Sequence, residues 1–273
     1  MYSFGPLPKF GKSGRHIGVH QKIDRVARRY FKIYEQPDLK FPGIADILHF
    51  EGIRGPDGIK LKSPGVDEPW HFVDPKSPSE QFLGYVRDHS CNLTTALVEN
   101  DIKRASFEAA WLAHVVTDGL TPAHHELINE ELERIRGNDN MPSSVHRKVI
   151  MPGGGSAKKF LKNNWQYWGA GGMMTAHMMF EAGVATVVKP LQFTELEIPD
   201  QMIQKLEEVG FESIYVDSIR SIDDLQMFEI YKRSGWTHRL AQLTTNELIP
   251  EIIRMVIFAW YSSYSNAIKQ TKK

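Results

Sequence analysis

The chain contains a single cysteine, Cys91, among its 273 residues. One thiol excludes an internal disulfide framework and any zinc cluster held by several thiolates. A metal ion could therefore be bound only through imidazole and carboxylate groups. An excess of charge of one sign is also lacking, because 33 Lys and Arg balance 33 Asp and Glu. The overall charge thus predicts no general attraction to nucleic acid or to an anionic membrane.

Long hydrophobic runs are absent as well. The longest apolar stretch, 255–261, is far shorter than the roughly 20 residues that cross a bilayer. The first twenty residues have neither the apolar core nor the small-residue cleavage pattern of a secretory signal. We therefore expect a cytoplasmic protein without a transmembrane segment, although a secreted chain with a processed start would look the same.

The hydrophobic spacing predicts an all-α, single-domain, multi-helix bundle over 1–273. Sustained period-two alternation and internal repeats are missing, whereas helical spacing recurs along most of the chain. We divide the chain into an irregular N-terminal arm (1–15), a core that holds the candidate site (16–190) and C-terminal helices (191–273). Within 41–76, frequent Gly and Pro predict a short helix near 44–50 followed by a long loop.

The most informative stretch is 109–131, AAWLAHVVTDGLTPAHHELINEE. His114 and Asp118 are four residues apart, so a helix places them on one face. After a turn, Thr121 as N-cap and Pro122 as first residue begin another helix, with His124 in its first turn. Imidazole and carboxylate ligands suit Zn²⁺. The simpler alternative is an Asp at a helix end and two partly buried histidines satisfied by hydrogen bonds.

A second pair, His177 and Glu181, has the same spacing within the apolar stretch TAHMMFEAG. Two such helical pairs are much rarer than one, and helical bundles build metal sites from facing pairs of this kind. Three further histidines are weaker candidates. His16 and His20 lie one turn apart at the start of the first helix, and His71 lies in the Gly/Pro-rich loop, in PWHFVDP.

The pattern His114-x3-Asp118-x5-His124, followed by His177-x3-Glu181, resembles that of the zinc-dependent phospholipases C. The related single-strand nucleases carry His-x3-Asp in the later position. The loop segment 71–74, His-Phe-Val-Asp, and His20 in GVHQKIDRVA are similar to further ligand segments of that family. The resemblance covers about 16–185 in scattered motifs, and the C-terminal third matches in helical character only.

The resemblance implies two or three Zn²⁺ ions in one cleft. One zinc would be bound by Asp46, His71, His114 and Asp118, and a second by His124, His177 and Glu181. A third would be bound by His20 and the other carboxylate oxygen of Asp118. For the early aspartate, Asp57 and Asp67 compete with Asp46. Family members begin with a tryptophan that binds the third zinc, but no tryptophan precedes Trp70 here, so His16 is the candidate replacement.

The same resemblance implies a phosphodiesterase, in which metal-bound hydroxide attacks phosphorus, with Asp46 and Asp118 as catalytic residues. Metal ions would lower the pKa of bound water and neutralise phosphoryl charge. The expected substrate is a phosphate ester, either a phospholipid headgroup or a nucleotide, and we predict no stable nucleic-acid complex. Trp165, Tyr167, Trp168 and Phe72 suit either a lipid or a base, although aromatics at helical spacing are more often core residues.

Three alternatives compete with this prediction. Helical phosphohydrolases with an adjacent His-Asp dipeptide are disfavoured, because the chain has no such dipeptide. A di-iron bundle needs two Glu-x-x-His pairs on helices, and the only such spacing, Glu68 to His71, lies in the broken loop. A non-catalytic helical metal-binding or scaffold protein with a degenerate site remains the alternative function.

Overall fold

The computed structural model describes residues 18–62, 72–125, 134–135, 150–193, 196 and 199–272. Over these residues the fold is all-α, as the hydrophobic spacing predicted. The described residues form no β-strand, and their only extended pairing is an isolated bridge between Gln36 and Leu39. None of the described helices combines the length and apolar character needed to cross a membrane.

The helices, in chain order, are α1 (Val19–Phe31), α2 (Ile44–His49), α3 (Pro56–Lys62), α4 (Glu80–Val98), α5 (Ile102–Gly119), α6 (Ala157–Trp168), α7 (Met173–Val188), α8 (Asp200–Asp223), α9 (Met227–Ser234), α10 (His238–Leu243) and α11 (Ile249–Thr271). A π-helical segment, Thr244–Leu248, joins α10 to α11.

Helices α1, α4, α5 and α11 pack against one another and surround the main core. The stretch 255–260 of α11 is completely buried, which explains its run of apolar residues. Trp260 illustrates how α11 and α5 meet, since its indole N–H donates a 2.9 Å hydrogen bond to the carbonyl of Ala109. The helix that carries His114 and Asp118 is therefore fixed along its length by buried neighbours.

Local signals place several helix boundaries. Ser79 caps α4 by accepting a hydrogen bond from the backbone N–H of Phe82, and Asp101 caps α5 through the N–H of Arg104. The extended backbone of Gly169 and Gly172 separates α6 from α7. These boundaries determine which faces of α5 and α7 point inward.

The predicted loop after α2 was wrong in part. Residues 52–54 form a 3₁₀ turn and α3 follows, with Pro56 as its first residue. Proline fits there because the first helical N–H has no intrahelical partner to lose. The glycines and prolines of this region thus begin and end short helices, and two acidic residues, Glu51 and Asp57, lie at their N-terminal ends.

Candidate metal centre

The first group of candidate ligands comprises His20 of α1, Glu51 and His114 of α5. All three are buried, and each offers one ligand atom within 4.8 Å of the others. His114 Nδ1 lies 3.3 Å from Glu51 Oε1, and the imidazoles of His20 and His114 stack with their centroids 4.1 Å apart. Asp57 is adjacent, with its Oδ1 3.6 Å from His114 Nε2.

The second group comprises His124, His177 and Glu181, again buried and within the same mutual distance. Glu181 Oε1 lies 3.0 Å from His124 Nε2 and 3.2 Å from His177 Nε2. The two imidazoles are stacked almost in parallel, 5.0 Å apart. Two ring nitrogens and a carboxylate oxygen therefore converge on one small volume.

Asp118 connects the two groups. Its Oδ1 lies 3.3 Å from His20 Nε2 and 3.5 Å from His124 Nδ1, and its Oδ2 lies 3.3 Å from His114 Nε2. Asp118 is completely buried. A single carboxylate thus touches histidines from both groups, and its two oxygens face different partners.

The chain reversal after α5 brings His124 back to Asp118. The Thr121 hydroxyl donates to the carbonyl of Thr117 at 2.8 Å, and the His124 N–H donates to the carbonyl of Thr121 at 2.8 Å. The tight 3₁₀ turn Pro122–His124 follows. The neighbouring His125 is directed elsewhere, since its Nε2 donates to the carbonyl of Gly119 and its Nδ1 lies 3.3 Å from Asp223. Only the first histidine of the His-His pair therefore belongs to the second group.

The first group has two imidazoles and one carboxylate, and the neighbouring Asp57 and Asp118 add two more carboxylates beside His114. Burial alone would lower the pKa of His114, but Asp118, Glu51 and Asp57 outweigh it and raise that pKa well above its usual value. Burial and the neighbouring His114 lower the pKa of His20. His114 thus lies within 3.3–3.6 Å of three carboxylates, an arrangement in which a divalent cation would be favourable.

In the second group, burial lowers the pKa of His124 to about 3, so its imidazole is neutral at neutral pH. Burial acts to raise the pKa of Glu181, but the neighbouring His177 and His124 help to hold it well below its usual value. A neutral imidazole and an ionised carboxylate are the protonation states that metal ligands require.

The hydrogen bonding of His177 also suits a metal ligand. Its Nδ1 lies 3.2 Å from the carbonyl of Ala123, which can only accept, so Nδ1 carries the proton. In the neutral imidazole, Nε2 then presents a lone pair to Glu181 Oε1. Such a contact is repulsive unless a second proton or a cation lies between the two atoms. Fixing the tautomer through the other ring nitrogen is what supporting hydrogen bonds do for metal-bound histidines.

Of the predicted ligands, the structure brings together His20, His114, Asp118, His124, His177 and Glu181. It places His20 and His114 in one group, whereas the resemblance assigned them to different ions. Asp46 is exposed in the first turn of α2 and belongs to neither group. Asp57, weighed as its competitor, lies beside His114 instead. His16, His71 and Asp67 lie outside the described residues.

Two further acidic residues were missed by sequence reasoning. Glu51 has no motif that marks it, since it directly precedes a glycine in a Gly/Pro-rich region. Asp24 is buried one helical turn after His20, so the chain has a third His-x3-carboxylate pair that its spacing could have revealed. Burial and the nearby Glu51 raise the pKa of Asp24 well above its usual value, which favours the neutral acid.

Comparisons of this chain with protein-family models, with characterised proteins and with solved structures found no match. The described residues contain two buried groups of histidine and glutamate that could hold a metal ion.

Proposed function

We propose that this chain is a zinc-dependent hydrolase of phosphate esters, with its metal ions bound by two adjacent groups that share Asp118. The observation that carries the proposal is the position of that carboxylate, within 3.3–3.5 Å of His20, His114 and His124. Sites with two metal ions a few ångströms apart are typical of enzymes that cleave phosphate esters. The sequence resemblance to the zinc-dependent phospholipases C supports the same class.

Zinc is favoured by the chemistry of the donor atoms. The described ligands are imidazole nitrogens and carboxylate oxygens, which suit Zn²⁺. His20, Glu51 and His114 would hold one ion, and His124, His177 and Glu181 another, with Asp118 contributing to both. His71 stays a predicted additional ligand.

Bound zinc ions would lower the pKa of water towards neutrality and offset charge on the phosphoryl oxygens. Among the described carboxylates near His114, Asp57 retains 19% exposure of its side chain, whereas Glu51 and Asp118 have almost none. Because a general base must reach the water that it deprotonates, Oδ1 of Asp57 is the atom we assign to accept that proton. Asp118 would hold His20, His114 and His124 in place.

The substrate is proposed to be a phosphate ester, with a phospholipid headgroup and a nucleotide as the two candidate classes. The half-buried ring of Phe72 lies 5.5 Å from the His124 ring and 6.1 Å from the His177 ring. An aromatic face at this position could contact the organic part of either substrate.

The direct test is elemental analysis of the purified protein combined with hydrolysis of bis-p-nitrophenyl phosphate before and after chelation. The proposal expects two or three zinc equivalents, loss of hydrolysis on chelation and recovery on adding zinc. No tightly bound metal and no hydrolysis after zinc addition would instead favour a non-catalytic scaffold protein. Bound zinc without hydrolysis of any phosphate ester would favour a metal-binding protein.

A further inference from the structure

Helices α6 and α7 expose an unusual number of large apolar side chains. Of the ten large hydrophobic residues that are exposed among the described residues, five lie on these two helices: Phe160, Leu161, Trp165, Trp168 and Met179. We call these five residues the apolar patch. Leu161, Trp165 and Met179 are 68%, 70% and 56% exposed. Aromatics at helical spacing are more often core residues, yet among the aromatic residues of α6 only Tyr167 is buried.

Three of the four patch residues on α6 share one face, and the patch continues across a groove. Leu161, Trp165 and Trp168 are spaced by four and three residues, so they share the exposed face of the helix. Trp165 and Met179 both line an open groove of 890 Å³, which Tyr231 and Lys232 border on the side of α9. Soluble proteins rarely leave contiguous apolar surface of this kind exposed unless it binds something.

The charged residues of α6 itself are all basic. Helix α6 reads AKKFLKNNWQYW, with three lysines and no acidic residue. Lys158 and Lys162 are exposed and lie on the same face as Leu161 and Trp165. This local excess contrasts with the zero net charge of the whole chain.

We propose that the apolar patch and the lysines of α6 form a docking surface for an anionic phospholipid membrane. Helices that lie in a membrane interface combine Trp, Phe and Leu on the buried side with Lys or Arg at the edge. The lysines complement the negative headgroups, and the apolar side chains enter the boundary between headgroups and acyl chains.

A membrane explains the composition better than single-stranded nucleic acid does. Nucleic acid would use Trp165 and Trp168 as stacking platforms, but Leu161 and Met179 offer no aromatic face for a base. In a membrane interface both aliphatic and aromatic side chains are stabilised by transfer from water. The inference is independent of the phosphoesterase proposal, because none of these residues belongs to either candidate metal group.

The test is co-sedimentation of the full chain with vesicles of phosphatidylcholine containing about one-third phosphatidylserine, at low salt. The double variant Leu161→Ala/Trp165→Ala should reduce the partition coefficient at least about tenfold, since two large apolar side chains no longer leave water. The double variant Lys158→Gln/Lys162→Gln should reduce the partition coefficient by about fivefold per lysine. Added salt should weaken vesicle binding by the wild-type protein.

The control is Ile33→Ala/Val98→Ala, which removes two exposed apolar side chains elsewhere and should sediment like the wild type. Equal sedimentation of the wild type and both patch variants would overturn the proposal. Binding of a single-stranded oligonucleotide that depends on Trp165, with no vesicle binding, would also overturn it in favour of nucleic acid. Because metal-free protein should dock equally well, chelated samples separate this result from any failure of hydrolysis.

Discussion

The ammonium group of Lys22 in α1 donates a 2.6 Å hydrogen bond to the carbonyl of Val188 at the end of α7. It also donates to the carbonyls of Lys189 and Leu191, at 2.9 and 2.7 Å. A cation at the C-terminal end of a helix is favourable, because the last carbonyls have no intrahelical partner. Lys22 therefore ties the helix that carries His20 to the helix that carries His177 and Glu181.

Replacing Lys22 by methionine should lower the free energy of unfolding by about 1.5–3 kcal/mol, the usual contribution of hydrogen bonds from a charged group. Urea denaturation of the metal-free protein measures this loss. The matched control is Lys205→Met, which removes an exposed lysine from its ion pair with exposed Asp217 and should cost less than about 0.5 kcal/mol. Equal losses in the two variants would mean that the cap on α7 contributes nothing specific.

Metal stoichiometry should distinguish the role of Asp118 from those of the other ligands. Asp118→Ala should reduce binding at both groups, because its oxygens face histidines of both. His177→Ala should remove metal from the second group only, leaving about half of the wild-type content. His125→Ala is the control, since His125 adjoins His124 but bonds to Gly119 and Asp223. The same metal content in all three variants would contradict the assignment.

The acidic residues near His114 can be ranked in the same way. Glu51→Gln and Asp57→Asn should each weaken metal binding or hydrolysis by at least about 10–100-fold, because both side chains lie within 3.6 Å of His114. Asp46→Asn should leave both quantities close to wild type, since Asp46 is exposed and outside the groups. A larger effect at Asp46 than at Asp57 would restore the assignment that the sequence first suggested.

Regular features of the sequence predicted the fold and much of the candidate site. Helical spacing gave the all-α class, and the two His-x3-carboxylate pairs were identified because a helix fixes residues four apart on one face. These inferences depend on contacts between residues close in sequence, which spacing alone determines.

Long-range contacts could not be predicted in this way. Glu51 meets His114 across 63 positions, and no local pattern distinguishes it from other exposed-looking acids in a Gly/Pro-rich region. The resemblance favours Asp46 over Asp57 because the family's early aspartate often follows a small residue in a short helix, as Asp46 follows Ala45, yet Asp57 also lies in a short helix, α3. The exposure of Trp165 likewise could not be predicted, because helical spacing does not show which face of a helix packs against another element.

The acid sensitivity of the metal-free protein should depend on His124. Its pKa is about 3 in the folded state and about 6.5 in an unfolded chain. The unfolded state therefore binds more protons between these values, and stability falls as the pH drops below about 6.5, by up to about 1.4 kcal/mol per pH unit. The pKa of Glu181 is also lowered in the folded state, so this residue further reduces the stability as the pH falls below about 4.5. His114 acts oppositely, because a raised pKa contributes stability that is lost as the pH rises.

The measurement is the slope of unfolding free energy against pH for chelated wild type and His124→Gln. Near pH 5 the wild-type slope should exceed that of the variant by up to about 1.4 kcal/mol per pH unit, which corresponds to one proton. His114 and Glu181 are present in both proteins. Identical slopes would show that His124 titrates alike in the folded and unfolded states.

A final prediction concerns Gly119, the residue that follows Asp118. A Cβ at this position would lie 2.0 Å from the Tyr215 hydroxyl oxygen and 2.6 Å from Cζ of Phe82, both of them fully buried side chains. Tyr215 cannot easily retreat, because its hydroxyl donates to the carbonyls of Val115 and Val116, at 3.0 and 3.1 Å. Gly119→Ala should therefore destabilise the fold by about 1–3 kcal/mol or more and weaken metal binding through the displaced Asp118.

Gly84→Ala is the matched control, because a Cβ at this position within α4 meets nothing within 4 Å. It should raise stability by up to about 1 kcal/mol, from the better helix propensity of alanine. If thermal unfolding showed both alanines to be equally tolerated, the close packing of α5 against α8 at this point would be wrong, and with it the fixed position of Asp118 between the two groups.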